Sequence, residues 1–98
     1  MTTTPSLQTI GSTLHNTTND IRSTRIVDGI YAGDTLRIEF EDGRIFYAAY
    51  DKDEPSLLMW AEYYYDENDV EGVLNAAYGE RDMSDGDVAA LYYALKDF

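Results

Sequence analysis

Between Leu36 and Tyr50 the chain alternates. Leu36, Ile38 and Phe40 take every second position, and Arg37, Glu39 and Glu41 fill the gaps. A period of two sends the apolar set to one side of an extended chain and the charged set to the other, so this is a half-buried strand. Asp42-Gly43 follows, a dipeptide that tolerates the positive φ of a tight hairpin turn. Arg44 to Tyr50 reads as the return strand. Upstream, Thr24 to Tyr31 has strand composition, with Gly33-Asp34 as a second turn. The result is a three-stranded antiparallel meander. Such a sheet is stable only when its apolar face is covered.

The flanks read as helices. Leu7, Ile10, Leu14 and Ile21 fall at helical spacings, and Thr4-Pro5 supplies an N-cap with proline at the first helical position. This predicts a modest amphipathic helix over residues 5–20. Residues 1–23 are expected to attach loosely. After the sheet, Asp53 or Glu54 caps a helix with Pro55 at its start and Leu57, Leu58, Ala61, Tyr64 and Tyr65 on a broad face. Val70, Val73, Leu74 and Ala77 repeat at helical intervals, with Gly79 just past the end. Ser84 and Asp87 resemble a capping box before Val88, Leu91, Tyr92 and Leu95. The expected fold is α+β. It has an N-terminal helix, the meander, and three C-terminal helices packed on one face of the sheet, all in a single domain spanning 1–98.

Charge decides which functions are open. The chain carries 19 acidic and seven basic residues in 98, a net charge of −12. Eighteen of the acids and five of the bases lie from Asp28 onward, leaving residues 1–27 at +1. The excess is densest from Asp51 to Asp87, where 12 acids meet only Lys52 and Arg81. Phosphate affinity comes from clustered Lys and Arg, so direct nucleic-acid binding is not expected. Nine tyrosines, three phenylalanines and one tryptophan mark a folding chain rather than an acidic tail. There is no cysteine, which fits a reducing cytoplasm. No signal peptide is expected, and no apolar run nears the roughly 20 residues that span a bilayer.

Catalytic patterns are missing from the sequence. His15 is the only histidine, with no nucleophile elbow, P-loop or dinucleotide fingerprint to accompany it. Two acidic runs, from Asp66 to Gly72 and from Asp82 to Asp87, place glycine at the wrong position for an EF-hand loop. Neither an enzyme nor a dedicated metal or cofactor site is expected.

The remaining candidate is a binding surface of acids and tyrosines. Its expected residues are Asp51, Asp53, Glu54, Glu62, Tyr63, Asp66, Glu67, Asp69, Glu71, Glu80, Asp82, Asp85 and Asp87. Many of these acids sit at helix starts, where the dipole favours them. Tyr63-Tyr64-Tyr65 would sweep about 200° of a helix, at roughly 100° per residue, so the three rings cannot all be buried. Exposed tyrosine beside carboxylate suits an arginine-rich partner. In an intact helix Glu62 and Asp66, or Glu67 and Glu71, would stand about 6 Å apart.

In size and composition over its whole length, the chain resembles the small acidic nucleic-acid mimics encoded by phages. These include anti-CRISPR proteins that occupy the DNA-binding surface of a Cascade-type complex, and antirestriction proteins. The resemblance rests on no motif and assigns no residue. It implies an inhibitor in the bacterial cytoplasm whose carboxylates stand in for phosphates on a Lys/Arg-rich, nucleic-acid-binding partner such as a Cas or restriction complex. Two other classes share the surface: an antitoxin or immunity protein against a basic toxin, and a halophilic acidic domain with no charge-specific partner.

Overall fold

The structure is a computed structural model. It describes the backbone of residues 4–31, 33–64 and 73–98, and the side chains of 4–28, 33–63 and 78–98. The element order is α1 (Leu7–Thr17), β1 (Ile21–Tyr31), β2 (Gly33–Phe40), β3 (Ile45–Tyr50), β4 (Leu57–Tyr64), β5 (Val73–Asp82) and α2 (Val88–Lys96). The five strands form one antiparallel sheet in sequence order, β1-β2-β3-β4-β5.

Alternation builds this sheet from β2 outward. Leu36, Ile38, Phe40, Phe46 and Ala48 all face the helices, and all are 3% exposed or less. In β4, Leu58 and Trp60 extend the same buried set, and β1 contributes Ile21. Ile10 and Leu14 of α1 and Val88, Leu91 and Leu95 of α2 close the core from above. The turn at Asp42-Gly43 forms as its residues dictate. Gly43 has φ +95° and donates to the Phe40 carbonyl, while Asp42 Oδ1 accepts the Arg44 amide at 3.0 Å. Added side-chain bulk at that φ would be strained.

Two expected helices are strands. The segment after Pro55 is β4, paired with β3 from Ile45↔Tyr63 to Tyr50↔Leu58. The segment around Val73, Leu74 and Ala77 is β5, paired with β4 from Leu57↔Asp82 to Tyr64↔Val73. The fold is therefore a five-stranded sheet under two helices, in place of three strands under three C-terminal helices and an N-terminal one. The physical reason lies in the side chains. Leu-Leu-Met-Trp and a tyrosine run are β-branched-poor but aromatic-rich, and aromatics pack well on a pleated surface. Trp60 and Tyr63 fall on opposite faces of this strand, the indole in the core and the phenol against Tyr47. Gly79 is no helix terminus either. It stands mid-strand opposite Trp60, and a Cβ there would land inside the indole ring.

The outer helices differ in detail from their sequence expectation. In α1 the N-cap is Ser6, whose Oγ accepts the Thr9 amide, and Ile21 belongs to β1. In α2 the cap is Asp87, whose Oδ1 accepts the Ala90 amide at 3.0 Å. The N-terminal helix packs into the core and is bonded to the sheet. Ile10 and Leu14 are fully buried, Thr24 Oγ1 donates to the Gly11 carbonyl, and Tyr50 Oη donates to the Pro5 carbonyl at 2.5 Å. Burial raises the Tyr50 hydroxyl above its usual pKa. Among the described residues, no helix is long and apolar enough to cross a membrane.

Candidate functional site

The strand order sorts the acids. The turns β1–β2 and β3–β4 and the passage from β5 to α2 all fall at one end of the sheet. The backbone joins two of them directly: Asp51 N–H donates to the Leu57 carbonyl, and Met83 N–H donates to the Ser56 carbonyl at 2.7 Å. Six expected site residues therefore meet there: Asp51, Asp53, Glu54, Asp82, Asp85 and Asp87. Asp28 and Asp34, both exposed, belong to the same end. Its basic residues are Lys52 and Arg81, and Arg81 is already paired with Asp85 at 2.7 Å.

Four of these carboxylates first serve their own turns. Asp51 Oδ1 accepts the amides of Asp53 and Glu54, at 2.7 and 3.2 Å. Asp82 accepts the Ser84 amide, Asp85 accepts the Asp87 amide, and Asp87 caps α2. Gly86, at φ +68°, permits the tight passage into that cap. The Ser84 amide, then its hydroxyl, hold the Asp82 carboxyl below its usual pKa, with Ser56 adding to the effect. Each such bond uses one oxygen and leaves the charge in place. Asp53 and Glu54 are exposed, and their carboxylates take no part in the turn.

Other expected residues go elsewhere. Glu62 lies in β4 on the helix side, only 12% exposed, with its Oε1 3.1 Å from Arg44 Nε. The Arg44 guanidinium also donates to the carbonyls of Leu95 and Lys96, both at 3.3 Å, and lies 5.0 Å from the Phe46 ring centroid. This cluster closes the α2 C-terminus at the margin of the core. Tyr63 and Glu80 are on the opposite face of the sheet. Tyr63 meets Tyr47 edge-on at 5.3 Å, and Tyr78 is 62% exposed. Asp66, Glu67, Asp69 and Glu71 lie outside the described residues. Glu62 is in a strand, so its helical spacing to Asp66 is not available.

Ion pairs sharpen the division. Arg22 and Arg37 both reach Glu39, Arg44 reaches Glu62, and Lys96 reaches Asp20, all away from the acidic end. Among the described residues, Arg81–Asp85 is the one ion pair at that end. No three His, Asp or Glu side chains among the described residues converge as a metal-ligand set. The sequence reading missed Tyr78 because it did not place β5, and passed over Tyr47 although it placed β3. A period-two reading of β3, with Phe46 and Ala48 in the core, puts Tyr47 on the face away from the helices.

Comparison with protein-family models, curated proteins and solved structures returned no match.

Proposed function

We propose that this protein is a binding protein that presents the acidic end of its sheet to a Lys/Arg-rich surface. Its mechanism is competition with nucleic acid for a bacterial defence complex, with a Cascade-type complex the favoured target. The observation that carries this reading is the partition of charge. Away from that end, Asp20, Glu39 and Glu62 are drawn into ion pairs, while eight acids gathered at the hairpin and cap turns face only Lys52 and Arg81. The turn bonds hold several of these carboxylates in fixed positions. Preorganised charge loses less conformational entropy on association than charge on mobile side chains. Complementary potential also speeds encounter and makes it salt-sensitive.

The test is binding to a purified Cascade-type complex and to a restriction enzyme, with and without competing duplex DNA. The variant is Asp53→Lys with Glu54→Lys, which reverses two exposed charges and leaves the Asp51 turn bonds intact. Affinity should fall at least about tenfold, which corresponds to about 1.4 kcal/mol. Added salt should weaken the wild type steeply, and DNA should displace it. Tight binding indifferent to charge reversal and to DNA would overturn the proposal.

A further inference from the structure

The sheet face turned away from the helices has a charge pattern of its own. Leu36, Ile38, Phe46, Leu58 and Trp60 point into the core, so the residues between them point the other way. In β1, Thr24 and Ile26 meet the helix side, which turns Arg25 outward. One row crosses the outer face in continuous register: Arg25↔Arg37↔Tyr47↔Ala61↔Tyr78. Arg25 and Tyr78, both exposed, stand at its two ends. Ile45, Met59 and Tyr63, all half-buried, flank its middle. Both helices pack on the other side.

Charge is split between the ends of this row. At the β1–β2 margin three guanidiniums share one carboxylate. Arg37 lies 2.9 Å from Glu39 and Arg22 3.5 Å, while Arg25 makes no ion pair among the described residues. Arg25 and Arg37 are direct cross-strand neighbours, and like charges so placed repel. The β5 margin has the opposite sign. Glu80 is exposed on the same face as Tyr78 and makes no ion pair among the described residues. Arg81, in register with buried Leu58, lies on the helix side beside Asp85. The outer face is therefore basic at one margin, aromatic and apolar in the centre, and acidic at the other.

That pattern complements itself. A half-turn about an axis along β3 sets two such faces together and exchanges their margins. Arg25 of each copy then meets Tyr78 of the other, with Glu80 two residues along β5, and Tyr47 meets Tyr47 at the axis. A guanidinium gains from the phenol ring and from the carboxylate beside it. A half-turn about the axis across the strands would instead set the basic margin on itself. An acidic peptide or a nucleic-acid strand would satisfy the arginines and be repelled by Glu80. Strands lie about 4.8 Å apart and rise about 3.3 Å per residue, so five strands of six residues cover roughly 24 by 20 Å. Two such faces bury about 1,000 Å² in total, the threshold for a specific interface, which suits a reversible dimer.

We infer that the protein pairs with a second copy of itself through the open face of its sheet, in a two-fold dimer that seats Arg25 of each copy against Tyr78 and Glu80 of the other. This goes beyond the reading of the acidic end and stands without it. The half-turn leaves both acidic ends at one end of the dimer, where two chains of net charge −12 repel. Salt relieves that repulsion, while the enclosed Arg25–Glu80 contact is screened less. The dimer therefore tightens with added salt, opposite in sign to binding at the acidic end.

The experiment is sedimentation equilibrium of the full chain from micromolar to near-millimolar concentration, at about 0.01 and about 0.15 M salt, where the Debye length is about 30 and about 8 Å. The mass should move from one chain to two, and at lower protein concentration in the higher salt. Arg25→Glu and Glu80→Arg, both at exposed positions, should each weaken the dimer at least about tenfold. Arg25→Glu combined with Glu80→Arg should restore it to within about threefold. Within one copy the two positions stand four strand spacings apart, about 19 Å, so rescue reports a contact between copies. Asp53→Lys with Glu54→Lys should tighten the dimer at low salt. A chain monomeric throughout, a dimer unmoved by the single reversals, or a double variant without rescue would overturn the inference. So would a monomer whose Arg25, Arg37 and Tyr47 amides shift in NMR with a glutamate-rich peptide or single-stranded DNA, because the face would then have another occupant.

Discussion

Gly79 and Arg44 each do something no other residue could do in their place. Gly79 leaves room for the Trp60 indole to lie across β5. Gly79→Ala forces the ring or the strand to move, and overpacking of this kind typically costs about 1–3 kcal/mol. The expected result is a lowered denaturation midpoint with an unchanged slope in urea. Arg44 joins a carboxylate, two helix-end carbonyls and two aromatic rings. Arg44→Ala leaves Glu62, which is 12% exposed, without its partner, and should cost about 2 kcal/mol. Arg22→Ala, at a well-exposed pair, should change stability by less than about 0.5 kcal/mol. The two variants in one urea series test whether position or mere pairing sets the value of a salt bridge in this chain.

At the scale of elements, α2 is stapled to the start of β1. Tyr92 Oη donates to Asp20 Oδ1 at 2.5 Å, and Lys96 Nζ lies 3.4 Å from Asp20 Oδ2. The Tyr92 hydroxyl, followed by Lys96, holds the Asp20 carboxyl below its usual pKa. Tyr92 is raised, chiefly by its bond to Asp20, and Lys96 is raised by Tyr92 and Asp20. The signs follow from linkage. The Asp20 contribution is full above the ordinary carboxylate range and is lost as pH falls through the lowered value. The Tyr92 and Lys96 contributions are full below their ordinary values near 10 and are lost as pH rises through the raised ones. Melting temperature followed from acid to alkali should therefore fall at both ends. Asp20→Asn should make both declines shallower, with part of the acid decline remaining because Arg37 also lowers Glu39.

The same scale shows what the chain disclosed in advance. The hairpin from Leu36 to Tyr50 was legible because one face is apolar, the other charged, and Asp42-Gly43 allows one turn geometry. α1 and α2 were legible from their spacing, with boundaries moved by the true caps Ser6 and Asp87. β4 and β5 were hidden for two reasons. Leu58, Trp60 and Ala61 are all buried, so strict alternation is blurred, and Pro55 and Gly79 imitate helix punctuation. The sequence named the acids as a group but could not say which of them the fold brings together. Only strand pairing reveals that Asp51 and Asp82 come to the same end of the sheet, on either side of Leu57, while Glu62 lies on the helix side beside Arg44.

For the molecule as a whole, the net charge of −12 opposes compaction. Screening should relieve it. Between about 0.01 and 0.1 M salt the Debye length falls from about 30 to about 10 Å. The melting temperature should rise over that interval, most of all in wild type. Asp53→Lys with Glu54→Lys should melt higher at low salt and gain less from added salt. A melting temperature insensitive to salt would mean that the acidic end carries little strain.

Strand order has one more consequence, for the route to the folded state. Each strand pairs only with its neighbour in sequence, so the sheet closes by short loops that cost little entropy. The two helices are different. α1 and α2 flank the five strands in sequence, yet their buried residues share one core. The sheet can thus zip strand by strand, but its apolar face stays wet until both distant helices dock. Weakening α2, for instance by Leu91→Ala, should then chiefly quicken unfolding, while weakening the Asp42-Gly43 hairpin should slow folding.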